Sequence, residues 1–292
     1  MPLPSVAKKP LLADLERTPD GRHNLKLYIG SPKKQKLRLA LSTDQKYSAV
    51  IGKQCTSCYS PHRYDSADSQ MYEQQSAPGD RIITKYDAKN NLIEKFTAQG
   101  QFVTDSLEVT YTPFVADSIS TSIKASFTEI MEMKPGYWSR QEDGLLGLAP
   151  HTQISQSSIT LKQYNFMYVL GRNKKITQNV FALYLSDTGE DDVEKHGSHI
   201  ELGGWDPKGI KEGNELTMIR TLDEKHWYIN AADFTINGGQ LFSYKTRPII
   251  LDPDYPWIMI PKDEFYFLRL QLMKIDKNLI ACPTNWNYCN FG

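Results

Sequence analysis

The sequence has neither an excess of one charge nor a long apolar run. Its 292 residues include 34 Lys and Arg and 34 Asp and Glu, so the formal net charge at pH 7 is zero. A chain without a basic excess lacks the positive field that nucleic acids require, and no nucleic-acid partner is expected. No stretch reaches the roughly 18 apolar residues that a membrane-spanning helix needs, so no membrane span is expected.

Two marks of a secreted protein are also missing. The first ten residues, Met1–Pro10, lack the apolar core of a signal peptide. No Asn-X-Ser/Thr sequon occurs, so N-glycosylation does not help to place the protein. The sequence is therefore compatible with an intracellular protein, or with a secreted protein whose leader is absent from this chain.

Cysteine is scarce, and its four copies form two close pairs. These are Cys55 with Cys58, and Cys282 with Cys289. Close pairs predict two local disulfides in an oxidising compartment. A four-thiolate zinc site is the competing interpretation, because Cys55 and Cys58 have the spacing of metal ligands. The looser spacing of the second pair favours disulfides, and we expect neither a metal nor another cofactor.

What is present is typical of an ordered, mostly β protein. Hydrophobic residues make up 40% of the chain and aromatic residues 11%. The length allows one or two domains with substantial cores. Short apolar runs with period-two alternation predict half-buried strands. Examples of these runs are Leu25–Gly30, Leu37–Leu41, Arg81–Tyr86 and Val180–Leu185.

Turn and helix signals complete the outline. Asn237-Gly238 lies between strand-like flanks and predicts a hairpin over Phe234–Phe242. Tyr86–Asn91 is a second, weaker hairpin candidate. Helices are predicted only over Ser157–Val169 and over Pro261–Met273, which begins with a proline.

Two segments place a small polar loop directly after an apolar strand. Leu39–Asp44 reads Leu-Ala-Leu-Ser-Thr-Asp, and Ile249–Asp254 reads Ile-Ile-Leu-Asp-Pro-Asp, about 210 residues further on. The pair resembles the hydrophobic-hydrophobic-Asp-Thr/Ser-Gly signature that occurs once in each lobe of pepsin-like aspartic proteases. This resemblance puts Ser42 and Asp252 at the two catalytic aspartate positions.

The resemblance runs in order from about residue 22 to residue 282. Asp143–Ala149, which reads Asp-Gly-Leu-Leu-Gly-Leu-Ala, is its most specific part outside the two loops. Further matching segments are Ile29–Gln35, Cys55–Tyr72, Phe181–Ser186, Ile200–Asp206 and Trp227–Gly238.

The resemblance implies an all-β, two-lobed fold of barrel-like lobes with a central cleft. It divides the chain into an N-terminal extension over 1–21, an N-terminal lobe over 22–176 and a C-terminal lobe over 177–292. We find no Leu-Gly-Asp-x-Phe string with its closing strands, so the second lobe is expected to be truncated. The resemblance also assigns the flap over the cleft to Tyr86, with Phe96 as the alternative.

The departures from the family pattern predict a loss of catalysis. Ser42 replaces the first catalytic aspartate, and Asp44 and Asp254 replace the two loop glycines. Pro253 has neither the hydroxyl nor the backbone N–H of the family's Thr or Ser. Aspartic proteases need two carboxylates that share one proton, and Asp252 alone supplies one.

The function expected from the resemblance is that of a catalytically inactive homologue with a peptide-binding or interaction role. Its partner would be a peptide or protein segment in the cleft. We expect a monomer in the extracellular space or in an endomembrane or vacuolar lumen. An active endopeptidase using Asp252 with Asp44 or Asp254 is the alternative. A structural protein whose cleft has no role is a third interpretation.

The residue types in and near the two loops allow two other chemistries. Asp44, Asp252 and Asp254 would supply the oxygen ligands that Ca²⁺ or Mg²⁺ prefers if they lay close together. Ser42 as a nucleophile would need a nearby histidine and an orienting acid. The resemblance places His62, His196 and His199 away from the cleft floor, so a structural or solvated role is expected for these histidines.

Overall fold

The computed structural model describes residues 10–19, 21–86, 92–111, 119–133, 142–150, 165–185, 197–207, 210, 213–224, 226–232, 234–236, 239–240, 246–254 and 262–275. For residues 80–86, 92–97, 111, 119–120, 236, 239–240, 262–263, 273 and 275 it describes the backbone alone.

The described residues are mostly in strands, with few helices. The helical segments are a 3₁₀ turn at Ser66–Asp68, α1 at Phe166–Arg172 and α2 at Lys262–Ile275. The strands are β1 Leu11–Arg17, β2 His23–Ile29, β3 Gln35–Ser42, β4 Ala49–Ile51, β5 Glu73–Gln74, β6 Gly79–Tyr86, β7 Leu92–Tyr111, β8 Ile119–Met133, β9 Gly144–Gly147, β10 Phe181–Tyr184, β11 His199–Leu202, β12 Tyr228–Ala231, β13 Thr235–Ile236, β14 Gly239–Gln240 and β15 Arg247–Ile250.

Strands β1 to β11 form one sheet that closes on itself. Its order is β10-β11-β1-β2-β3-β9-β4-β8-β7-β5, and β6 pairs with β7. Because β7 pairs with β2 as well as with β8, strands β2, β3, β9, β4, β8 and β7 make a closed ring. This ring gives the sheet a barrel-like arrangement.

Alternating apolar side chains fill the ring. In β3 the side chains of Leu37, Leu39 and Leu41 are buried, and Leu25 and Leu27 of the neighbouring β2 are buried beside them. All five belong to the same apolar cluster. Burying each such side chain contributes about 1.5–3 kcal/mol, which makes this core the main stabilising element of the sheet.

Helix α1 packs its apolar side chains into the same core. Asn165 caps the helix by accepting a hydrogen bond from the Tyr168 N–H at 3.0 Å. A side-chain oxygen at this position satisfies a backbone donor that has no partner within the helix. The residues that α1 buries are Phe166, Met167, Val169 and Leu170.

A second apolar cluster lies around a disulfide bond. Cys55 and Cys58 are bonded to each other and buried. They pack with Ala40 of β3, Ile51 of β4 and other apolar side chains. The predicted disulfide is confirmed for this pair, whereas Cys282 and Cys289 lie outside the described residues.

The chain divides into two compact units. The first comprises Met1–Ile229 and Ile250–Pro256, and the second comprises Asn230–Ile249 and Trp257–Gly292. Within the second unit, β13 pairs with β14, and Arg247 forms an ion pair with Glu264 of α2. In the described part of the chain, no helix is long and apolar enough to cross a membrane.

Several sequence-based predictions are confirmed. The architecture is mostly β, β13 and β14 form the hairpin predicted at Asn237-Gly238, and α2 coincides closely with the predicted Pro261–Met273. The helix predicted over Ser157–Val169 begins only at Phe166 within the described residues. Residues 157–164 lie outside them.

A buried glutamate on β8 makes stability depend on pH. Glu129 is 2% exposed and accepts hydrogen bonds from Gln101 Nε2 at 2.9 Å and from the Tyr72 hydroxyl at 3.4 Å. Burial raises the pKa of Glu129 above its ordinary value of 4.5, although both hydrogen bonds lower it. The folded protein therefore holds this proton at a pH where the unfolded chain has released it.

We predict that Glu129→Gln stabilises the protein at pH 7. A raised pKa in the folded state makes stability fall as pH rises from the unfolded pKa through the folded one. The neutral amide removes that loss, for a gain on the order of 1 kcal/mol at pH 7 that shrinks below the unfolded pKa. Urea unfolding at pH 7 and at a pH below the unfolded pKa of glutamate measures this difference in the free energy of unfolding.

The matched control for this prediction is Glu132→Gln, an exposed glutamate on the same strand. Surface substitutions of this kind usually change stability by less than about 0.5 kcal/mol. Equal effects of Glu129→Gln at acid and neutral pH would contradict the proposed role of the buried charge.

Candidate functional site

The first loop begins where β3 ends, at Ser42. Strand β9 runs parallel to β3 and aligns Ser42 with Gly147. The Leu148 N–H donates to the Ser42 carbonyl at 2.8 Å, and the Ala149 N–H donates to the Gln45 carbonyl at 3.0 Å. The end of the Asp143–Ala149 motif therefore holds the first loop in place.

Gly147 allows this close contact. A Cβ atom at this position would lie 2.8 Å from the Gln45 carbonyl oxygen and 2.8 Å from the backbone nitrogen of Tyr47. Distances this short are essentially never seen for real Cβ atoms, and both neighbours are backbone. A glycine at position 147 therefore lets the motif lie close to the backbone of the first loop.

The structure brings Ser42 and Asp252 together. The Ser42 hydroxyl donates to Asp252 Oδ2 at 3.4 Å. Backbone N–H groups of Thr43 and Asp254 donate to Asp252 Oδ1 at 3.1 and 3.3 Å. The Asp252 carboxylate is therefore held by donors from both loops, opposite a serine that is fully buried.

A threonine hydroxyl makes a further contact between the loops. The Thr43 side chain donates to the backbone carbonyl of Leu251. Pro253, in the facing loop, has no hydroxyl or N–H with which to make the reciprocal contact. The Thr43 hydroxyl therefore has no counterpart donated by Pro253 of the second loop.

Asp44 is engaged by a tyrosine. The buried Tyr228 hydroxyl lies 3.3 Å from Asp44 Oδ1 and donates to it. Burial raises the pKa of Tyr228, and the negative charges of Asp44, Asp223 and Asp252 raise it further. Tyr228 therefore keeps its proton and remains a hydrogen-bond donor to Asp44.

His226 fixes the ring of Tyr228. The two rings stack with centroids 4.5 Å apart and planes 13° apart. His226 Nδ1 lies 2.9 Å from Asp223 Oδ2, and its backbone N–H donates to Asp223 Oδ1 at 2.8 Å. This arrangement orients Tyr228 toward Asp44.

Asp254 lies beside an arginine. Its side chain is fully buried, and Arg22 Nε lies 4.0 Å from Asp254 Oδ1. Arg22 Nε also donates to the Asp254 backbone carbonyl at 3.2 Å. All three of the predicted carboxylates, on Asp44, Asp252 and Asp254, thus have specific partners other than one another.

The histidines considered as partners of Ser42 have other contacts. His62 Nδ1 lies 3.3 Å from Asp143, and His199 stacks on Tyr184. His196 lies outside the described residues. Within the residues that the structure describes, no group of three or more His, Cys, Asp or Glu side chains is placed to hold a metal ion.

The flap prediction can be followed only along the backbone. Strands β6 and β7 form a hairpin in which Tyr86 pairs with Leu92. Tyr86 is therefore the last residue of β6, next to the undescribed residues 87–91. The side chains of Tyr86 and Phe96 lie outside the description, so the flap assignment stays a prediction.

Sequence reasoning missed Arg22 and Tyr228. Arg22 lies 232 residues from Asp254, and Tyr228 lies 184 residues from Asp44. Arg22 lies in the connection between β1 and β2, and Tyr228 lies in a segment that matches the family, but neither feature indicates which carboxylate the residue contacts. Such a contact becomes visible only when the fold brings distant segments together.

A closed β-ring that carries a strand-end loop against a second, aspartate-bearing loop is consistent with an aspartic-protease-like fold. The chain matches the family model of the eukaryotic aspartyl proteases over residues 23–278. The chain therefore belongs to the eukaryotic aspartyl protease family, and the pepsin-like fold prediction is confirmed. Proteins of this family bind peptide substrates in a cleft.

Proposed function

We propose that this protein is a catalytically inactive aspartyl protease homologue that binds a peptide or protein segment. The observation that carries the proposal is the serine hydroxyl 3.4 Å from Asp252 Oδ2, where catalysis requires a second carboxylate. A hydroxyl does not ionise near neutral pH, so it cannot share a proton with Asp252 as a second carboxylate would. Ser42 can bind a water molecule without activating it.

The partners of Asp44 and Asp254 weigh against the alternative of an unconventional protease. A replacement acid must lie within hydrogen-bond reach of the reacting groups. Asp44 accepts a hydrogen bond from Tyr228, and the buried Asp254 lies beside Arg22. Each carboxylate is thus engaged by a neighbour away from the Ser42–Asp252 pair.

The family and one disulfide bond support the proposed ligand class and location. A peptide segment is the ligand class because the family binds peptides. Disulfides persist in oxidising compartments, and the Cys55–Cys58 bond supports a secreted protein or one in an endomembrane or vacuolar lumen. We propose a monomer that binds this segment in the family's cleft.

The experiment exposes the folded protein to a diverse peptide library and reads binding and cleavage separately. The expected result is retention of a subset of peptides without hydrolysis. Cleavage that depends on Asp252 would favour the unconventional protease. Neither binding nor cleavage would favour a structural protein.

A further inference from the structure

Three charged side chains meet beneath the second loop. Arg22 Nη1 lies 3.6 Å from Glu142 Oε1, and Arg22 Nε lies 4.0 Å from Asp254 Oδ1. The side chains of Glu142 and Asp254 are 1% and 0% exposed, and that of Arg22 is 13% exposed. Two buried carboxylates therefore lie on either side of one arginine.

Burial makes this arrangement costly unless the charges are paired. A carboxylate removed from water without a counter-charge strongly destabilises the folded state. The guanidinium group carries several donors in a fixed plane and keeps its charge, so it can serve two acceptors at once. Arg22 thus makes the buried Asp254, which replaces a family glycine, compatible with folding.

Hydrogen bonds to Thr18 fix the backbone of Arg22. Its backbone N–H donates to the Thr18 hydroxyl at 3.0 Å, and its carbonyl accepts from the Thr18 N–H at 2.8 Å. These bonds lie in the connection between β1 and β2. The side chain therefore extends from a backbone that the hairpin has already fixed.

The peptide units around Asp254 link the arginine to Asp252. Arg22 Nε donates to the Asp254 carbonyl at 3.2 Å, and the Asp254 N–H donates to Asp252 Oδ1 at 3.3 Å. A shift of Asp254 would lengthen the second of these bonds. The position of Asp252 opposite Ser42 thus depends on a contact made by Arg22.

We propose that Arg22 is a positioning residue that holds the second loop so that Asp252 faces Ser42 and Thr43. Asp254 is its buried ionic partner and not a replacement catalytic acid. This role goes beyond the proposed function, because it requires no ligand and holds whether or not peptides bind.

The test is amide hydrogen exchange measured by NMR on Arg22→Met and Arg22→Lys. Each variant loses the Nε donor, so the amides of Thr43 and Asp254 should exchange at least about 10-fold faster than in the unsubstituted protein. Arg22→Lys keeps the positive charge and provides a second variant if Arg22→Met does not fold. Amides of the β2–β3 ladder should change far less.

The matched control is Lys26→Met, which removes an exposed cation from β2 that pairs with Glu16 at 3.3 Å. It should leave Thr43 and Asp254 exchange unchanged. The proposal is overturned if Arg22→Lys leaves both amides protected as before, or if all amides of the sheet accelerate by the same factor. The second outcome would mean a global loss of stability instead of a local displacement.

Discussion

Restoring the family residues in both loops is expected to produce peptidase activity at acid pH. Two carboxylates facing each other share one proton, so one activates water while the other donates to the substrate carbonyl. Ser42 already lies 3.4 Å from Asp252 Oδ2, which places a new carboxylate close to the existing one. The substitutions are Ser42→Asp, Asp44→Gly, Pro253→Thr and Asp254→Gly.

The expected gain is about 10³-fold over the unsubstituted protein, since acid–base groups of this kind contribute 10²–10⁴-fold each. Peptide cleavage measured across roughly pH 3–7 spans the titration of carboxylates. The control adds Asp252→Asn to the same four changes and should abolish the gain. A well-folded restored variant without activity would show that the loops alone do not account for the missing catalysis.

Gly144→Ala is expected to destabilise the protein by about 3 kcal/mol or more. Substitutions that overpack a core and displace the backbone are among the most destabilising. Gly144 pairs with Leu39 of β3 on one side and with Val50 of β4 on the other. An added Cβ would lie 2.1 Å from the Ala49 carbonyl oxygen and 2.9 Å from Val50 Cα. Neither atom can rotate away, so the strands must separate.

Urea unfolding of Gly144→Ala and Gly197→Ala measures this difference. A Cβ atom on Gly197 would have no neighbour within 4 Å, which makes it a control for the loss of glycine itself. Its substitution should change stability by no more than about 0.5 kcal/mol. Similar unfolding midpoints for the two variants would contradict the tight packing of β9 between β3 and β4.

Local patterns in the sequence were sufficient for much of the fold. The predicted runs Leu25–Gly30 and Leu37–Leu41 coincide with most of β2 and β3, because alternation along a strand records which face is buried. The turn signal Asn237-Gly238 also lies between two paired strands. These features depend on residues that are neighbours in the sequence, so a single sequence is enough to predict them.

The length of β7 and the closure of the ring could not be predicted from such local patterns. Strand β7 spans Leu92–Tyr111 and pairs with β6, β8, β5 and β2. Different parts of β7 pair with different strands, so no single period is expected along its length. The pairing of β7 with β2 closes the ring, and it depends on segments about 80 residues apart.

The candidate site also has features that the sequence predicted and features that it did not. The strand-to-loop pattern predicted that Ser42 and Asp252 belong together, and they form a hydrogen bond. The environments of Asp44 and Asp254 were not predictable, because Tyr228 and Arg22 reach them from distant segments. A carboxylate in a loop sequence does not reveal which donor the fold will place beside it.

The most direct test of the central claim is cleavage of a diverse peptide library by the folded, unsubstituted protein across roughly pH 3–7, where carboxylates and carboxylate pairs titrate. An Asp252→Asn variant is assayed in parallel, and binding is measured on the same peptides. We predict that a subset of peptides is retained and that none is cleaved at any pH. Cleavage that disappears in Asp252→Asn would contradict this prediction and identify a working protease with a rebuilt acid site.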